Sequence, residues 1–183
     1  MKFIETKIKD LTIVEPTVFK DSRGYFLESF NKKIFEKKFK NISFVQDNES
    51  KSSKGVLRGL HFQKPPFDQA KLVRCIGGKV LDVAVDIRKG SNTFLKHVTV
   101  ELSEQNKRQL FIPRGFAHGF IVLSDFAVFA YKVDNIYAPK YDAGINWKDK
   151  ELNIDWGIEH SQVLVSKKDS NLPYITGFKS PFN

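Results

Sequence analysis

Four ionisable side chains in this chain could together move protons: His61, Lys71, Tyr131 and Asp169. His61 closes the run Val56-Leu57-Arg58-Gly59-Leu60-His61, which reads as a strand and would hold an imidazole on a rigid support. A lone strand histidine is more often structural, so this run leaves both roles open. The segment Gln46-Asp47-Asn48-Glu49-Ser50 favours a site, because Gln46, Asn48 and Ser50 share one face of a strand and form a row of hydrogen-bonding groups. The competing reading is an exposed polar face, which antiparallel sheets commonly carry. Lys71 shares its strand face with Gln69, Val73 and Cys75, which makes either a partly buried ammonium or a surface lysine. Tyr131 ends Phe126-Ala127-Val128-Phe129-Ala130-Tyr131 on the face of Ala127 and Phe129, where it could pack or present a phenol proton. Asp169 stands far from His61 along the chain, so only the fold can join them.

Other chemistries find little support. His61 and His118 are separated and lack a local carboxylate partner, a weak set for zinc, iron or manganese, so no metal is expected. No G-x-G-x-x-G stands between a strand and a helix, no phosphate-cradling P-loop is present, and no G-x-S-x-G elbow offers a nucleophile.

The elements that must position these groups are mostly short strands. Leu81, Val83, Val85 and Ile87 alternate with Asp82, Ala84, Asp86 and Arg88, the period of a half-buried strand. Similar stretches are expected at 12–19, 25–30, 44–50, 56–63, 71–76, 98–102, 109–112, 120–123 and 126–133. Gly77-Gly78, Lys89-Gly90-Ser91, Pro113 to Gly115 and Ser124-Asp125 read as turns between them. Many short strands at close spacing predict an all-β sandwich or barrel of the jelly-roll kind. Helix is minor: Lys32 to Lys40 sets Ile34, Phe35 and Phe39 among lysines at near-helical spacing, an amphipathic surface helix. The segment after Tyr137, with Trp147 and Trp156, reads as an irregular or partly helical cap.

The 183 residues suit one domain spanning 1–183, and 41% apolar with 28% charged residues is ordinary globular composition. Cys75 is the only cysteine, which excludes an intramolecular disulfide and points to a reducing compartment. The first ten residues lack an apolar signal core, and no stretch approaches a membrane helix, so a cytoplasmic protein without a membrane partner is expected. The net charge of +9 calls for an anionic partner. The basic run at 32–40 reads as a solvated face, because no aromatic-and-basic recognition motif accompanies it, and no nucleic-acid partner is expected.

Several ordered motifs resemble those of the dTDP-4-dehydrorhamnose 3,5-epimerase family over about Ile13 to Pro173. They are Asp21-Ser22-Arg23-Gly24-Tyr25-Phe26-Leu27-Glu28, Gln46-Asp47-Asn48, Val56 to His61, Lys71-Leu72-Val73-Arg74, Asp82 to Arg88, Ile112 to Phe120, Tyr131 and Ser166 to Asp169. The resemblance implies a cupin-like jelly roll with a few short peripheral helices. It also implies a cofactor-independent homodimer in which the N-terminal strand of one subunit completes the neighbour's site. His61 resembles the general base, Asp169 the carboxylate that orients it, and Tyr131 the acid on the opposite sugar face. Lys71 and Arg58 resemble the groups around the developing oxyanion. Arg23, Glu28, Gln46, Asn48, His118, Asp142 and Lys168 match contacts to a nucleotide-diphosphate 4-keto sugar, and Phe19, Phe26 and Tyr137 match aromatic packing around it. Asp142 stands where the longer Glu is expected in many relatives. Arg58 and His61 have opposite strand parity, so sharing one site requires a twist or bulge between them.

The implied reaction inverts C3 and C5 beside a C4 ketone through an enolate. Rival readings are an epimerase acting at one of these carbons alone, a non-catalytic jelly roll that binds nucleotide sugars, and a nucleic-acid binder.

Overall fold

The computed structural model describes residues 1–182. Its scaffold is a pair of long antiparallel strands, β7 (Lys71–Asp86) and β10 (Phe116–Val133), and every other strand of the main sheet extends from them. Along the path the order is β1 (Lys2–Glu5), β2 (Thr12–Glu15), β9 (Gln109–Ile112), β7, β10, β6 (Leu57–Gln63) and β11 (Asp142–Gly144). Strand β5 (Gln46–Ser53) pairs with the C-terminal half of β10, and β8 (His97–Ser103) with the C-terminal half of β7. Each long strand thus serves two sets of neighbours, as a jelly roll requires.

Two expected turns are overturned. Gly77-Gly78 and Ser124-Asp125 lie within β7 and β10, so four expected short strands are two long ones. The pairing register shifts between Val122 and Ala127, and the extra residues form a bulge rather than a reversal. Gly78 has φ +76°, and a Cβ there would fall 2.0 Å from the Phe126 carbonyl oxygen. The Ser124 hydroxyl replaces lost ladder bonds, accepting from Lys79 N at 2.8 Å and donating to Phe126 O at 2.6 Å. The bulge also switches strand parity. Val73 and Cys75 face the interior before it, and Val80 and Ala84 after it; on β10 the interior set changes from Phe120 and Val122 to Ala127 and Phe129.

The expected half-exposed face of 81–88 is a second correction. Val83, Val85 and Ile87 pack under Trp147 and Trp156 of the C-terminal segment, while Asp82 and Asp86 point the other way and are fully buried. The segment after Tyr137 is the irregular, partly helical cap expected, with a four-residue helix, α2 (Lys167–Ser170), and the unexpected addition of strand β11. Helix α1 (Lys32–Lys38) forms within the expected range. Asn31 caps it by accepting from Ile34 N at 3.2 Å, and Phe35 buries itself between Phe3, Phe30, Phe39 and Phe44, leaving the lysines outside.

One hairpin stands apart. Strands β3 (Val18–Asp21) and β4 (Gly24–Leu27) form their own two-stranded sheet. Phe19 is 61% and Phe26 69% exposed. The expected strands 12–19 and 25–30 are correspondingly shorter and broken.

Candidate active site

A cavity of about 540 Å³ opens inside the barrel and is lined by His61, Lys71, Tyr131 and Asp169, with Arg58 and His118. A smaller one of about 310 Å³ adjoins it, shares His61, Lys71, Tyr131 and Lys168, and adds Gln46, Asn48, Tyr137 and Asp142. The four proton-moving candidates therefore meet in one place.

Local irregularity focuses them. On β6, Leu57, Leu60 and Phe62 point to the outer core, whereas Arg58 and His61 line the cavity, so one extra residue separates the two inward positions. The pairing shows the same bulge: His118 opposes His61 and Phe120 opposes Arg58. Gly59 occupies it with φ +138°, and a Cβ there would fall 2.5 Å from the Gly119 Cα. The opposite parity of Arg58 and His61 is resolved in this way.

His61 Nε2 lies 2.8 Å from Asp169 Oδ1. Asp169 sits in the first turn of α2, which Ser166 caps by accepting from Asp169 N at 3.0 Å; Gly59 N donates to Asp169 Oδ2 at 3.3 Å. Burial pushes the Asp169 carboxyl up, but the His61 hydrogen bond and the charge of His61, with contributions from Gly59 and Ser166, outweigh it and hold the group below its ordinary value. The dyad is thus an oriented imidazole backed by an ionised carboxylate. Tyr131 enters from β10, and burial pushes its phenol up, opposed by the Arg58 guanidinium, so it keeps its proton. Lys71 enters from β7 with its Nζ 5.9 Å from the Tyr131 ring centroid. Burial pulls its ammonium down to about 8, against the opposing pull of Asp82 and Asp142.

The binding candidates divide into two groups. Gln46, Asn48 and Ser50 are half-buried and turned inward, and Gln46 Nε2 donates to Asn48 Oδ1 at 2.9 Å while Gln46 Oε1 accepts from Tyr137 N at 3.3 Å. Asp142 is engaged by Lys168 and accepts from the Tyr137 hydroxyl at 3.2 Å, and this pairing raises Lys168 above its ordinary value. Phe19, Arg23, Phe26 and Glu28 line neither cavity. They lie on or just after the β3–β4 hairpin, where Arg23 binds Asp21 at 2.6 Å and Glu28 accepts from Asn31 at 3.1 Å.

Two polar partners escaped the sequence reading. Ser52 continues the inward row of β5 past its expected end at Ser50, and its Oγ accepts from Arg58 Nε and Nη2, both at 3.1 Å. Asp82 meets the His118 ring, at 3.1 and 2.9 Å from Nε2. Strand parity links Ser52 to Ser50; no sequence signal separates Asp82 from a solvent-facing strand residue. Among the described residues no group of three or more His, Cys, Asp or Glu could hold a metal ion, and no helix is long and apolar enough to cross a membrane.

A sequence profile described as dTDP-4-dehydrorhamnose 3,5-epimerase matches residues 5–176. The chain belongs to the dTDP-4-dehydrorhamnose 3,5-epimerase family. It is 58% identical over 172 residues to the enzyme of that name from Shigella flexneri, covering 93% of this chain and 94% of the relative. The crystal structure of the Elizabethkingia anophelis epimerase superposes with a TM-score of 0.92 at 52% identity, covering 97% of both chains. A Legionella pneumophila dTDP-6-deoxy-D-glucose-3,5-epimerase, solved in complex with dTDP-4-keto-L-rhamnose, superposes with a TM-score of 0.93 at 48% identity, over 97% of this chain and 94% of that one. The cupin-like jelly roll and the epimerase class follow from this membership.

Proposed function

We propose that this protein inverts C3 and C5 of dTDP-4-dehydro-6-deoxy-D-glucose, forming dTDP-4-dehydro-L-rhamnose for dTDP-L-rhamnose-type biosynthesis. The observation that carries the reading is the placing of the His61–Asp169 dyad and a protonated Tyr131 around one sugar-sized cavity with Lys71. A binding domain has no use for an oriented base together with an acid.

The C4 ketone acidifies the protons at C3 and C5, yet removing either leaves negative charge on the ketone oxygen. Lys71 and Arg58 stabilise that charge where it appears, each worth on the order of 3 kcal/mol if it acts as an oxyanion-hole donor does. His61 takes the proton, Asp169 holding its ring and supporting the imidazolium, and Tyr131 returns a proton to the opposite face. Each turnover removes and restores a proton with no net redox change, so no cofactor is required. Lysine and arginine side chains offset the charge of the nucleotide diphosphate, and binding energy from that remote group helps hold the sugar in reactive geometry. The direct test is incubation of the 4-keto sugar with the protein in D₂O. Deuterium at both C3 and C5 with an L-configured product is expected; label at one carbon supports a single-site epimerase, and no label sinks the assignment.

The protein works as a cytoplasmic homodimer of single domains, residues 1–183. The exposed aromatic hairpin supports the dimer, since Phe19, Arg23 and Phe26 can serve a site only by leaving their own subunit's surface. Mixing inactive Arg23→Ala and His61→Asn proteins should restore activity, because one site of each mixed dimer regains both residues. Failure of mixed dimers to regain any activity argues for hairpin use within one subunit.

A further inference from the structure

A second buried carboxylate sits against the cavity wall, and the proton relay does not use it. Asp82 is 0% exposed, and its only hydrogen-bond partner among the described residues is His118 Nε2. A carboxylate removed from water with a single donor is costly, which makes a purely structural purpose a poor account of it. A carboxylate only accepts, so the proton of this contact rides on Nε2. Burial pulls the His118 ring below its ordinary value, Asp82 opposing, which keeps the ring neutral and leaves Nδ1 bare. Nδ1 has no protein partner among the described residues, and no sealed side-chain nitrogen or oxygen lacks one, so Nδ1 opens to the cavity that His118 lines. The ring lies 6.2 Å from Phe129 at 21°, which limits its turning.

We infer that Asp82 is a positioning residue: by accepting the Nε2 proton of His118 it fixes the tautomer whose bare Nδ1 accepts a hydrogen bond from a hydroxyl of the hexose. An acceptor repels a ketone oxygen and welcomes a hydroxyl, whereas Lys71 does the reverse for the ketone. The two therefore set which way round the sugar ring sits. This rests on the epimerase reading and adds to it a residue and an orientation rule.

Two measurements on the full chain test it. In the ¹⁵N-histidine-labelled wild-type protein, His118 should be neutral with its proton on Nε2 at neutral pH; an imidazolium or an Nδ1–H ring there overturns the inference without any variant. Asp82→Leu, which keeps the side chain's shape but has no acceptor for the Nε2 proton, should then lose about 10- to 100-fold in kcat/KM on dTDP-4-keto-6-deoxyglucose, the range for one lost hydrogen bond to a buried group, while solvent deuterium still enters the sugar because His61 is intact. Unchanged kcat/KM in a folded Asp82→Leu protein overturns it. A wild-type protein that neither converts nor exchanges the sugar sinks the epimerase reading instead, and leaves the tautomer result standing.

Discussion

Two His–Asp pairs lie side by side in this barrel, and their histidines are direct cross-strand partners on β6 and β10. In both, Nε2 meets a carboxylate oxygen, at 2.8 Å in His61–Asp169 and 2.9 Å in His118–Asp82. They differ in their surroundings. The His61 side chain is 29% exposed and Asp169 has further donors, whereas His118 is 8% exposed and Asp82 has His118 alone. A histidine that takes a proton must be able to carry charge, so it needs partial solvent contact and a well-supported carboxylate. A histidine that only accepts a hydrogen bond is better kept neutral, and desolvation does that. On the proposed roles, burial splits the same pair of residue types into a proton carrier and a fixed acceptor.

The sharpest way to break this contrast is to remove each imidazole in turn. His61→Asn should lower turnover by about 10²- to 10⁴-fold, the usual contribution of a positioned base, and should stop deuterium entering C3 and C5. His118→Asn should cost less, about 10- to 100-fold, and should leave exchange measurable by NMR. If the exchange losses are reversed, the roles assigned to the two pairs are reversed with them.

How much of this was readable in the sequence follows the same division. Alternation located most strands, and the parity of Tyr131 with Phe129 and of Lys71 with Val73 was correct, because period two survives within each straight stretch. Continuity was not readable: Gly77-Gly78 and Ser124-Asp125 carry turn chemistry, and only pairing with each other turns them into bulges inside long strands. Asp82 was hidden for a related reason. An acidic residue alternating with valines looks solvent-facing unless the fold supplies cover on both sides. His61 and Tyr131 stood out through motif resemblance, whereas the joining of Asp169 to His61 needed the C-terminal cap, whose four-residue helix is too short to leave a periodic trace.

Lys71 sharpens the contrast from a third position, because burial acts on it as on His118 but its proposed function requires the charge. Its folded-state value of about 8 lies below the ordinary 10.5 of an exposed lysine. The unfolded chain therefore binds more protons between about pH 8 and 10.5, so wild-type stability rises with pH across that window. Below about pH 8 the full cost of burying the ammonium is present, on the order of 3 kcal/mol by the size of the shift. Lys71→Met removes the cost together with the proposed oxyanion donor. The variant should turn over poorly yet melt several degrees higher than wild type at neutral pH, and the gap should close as pH approaches about 10.5. In the wild-type protein, turnover should fall as pH rises through about 8, as the ammonium is lost. Thermal melts of both proteins at a series of pH values check the stability side, and a gap that does not change with pH shows that Lys71 is not held charged in a desolvated wall.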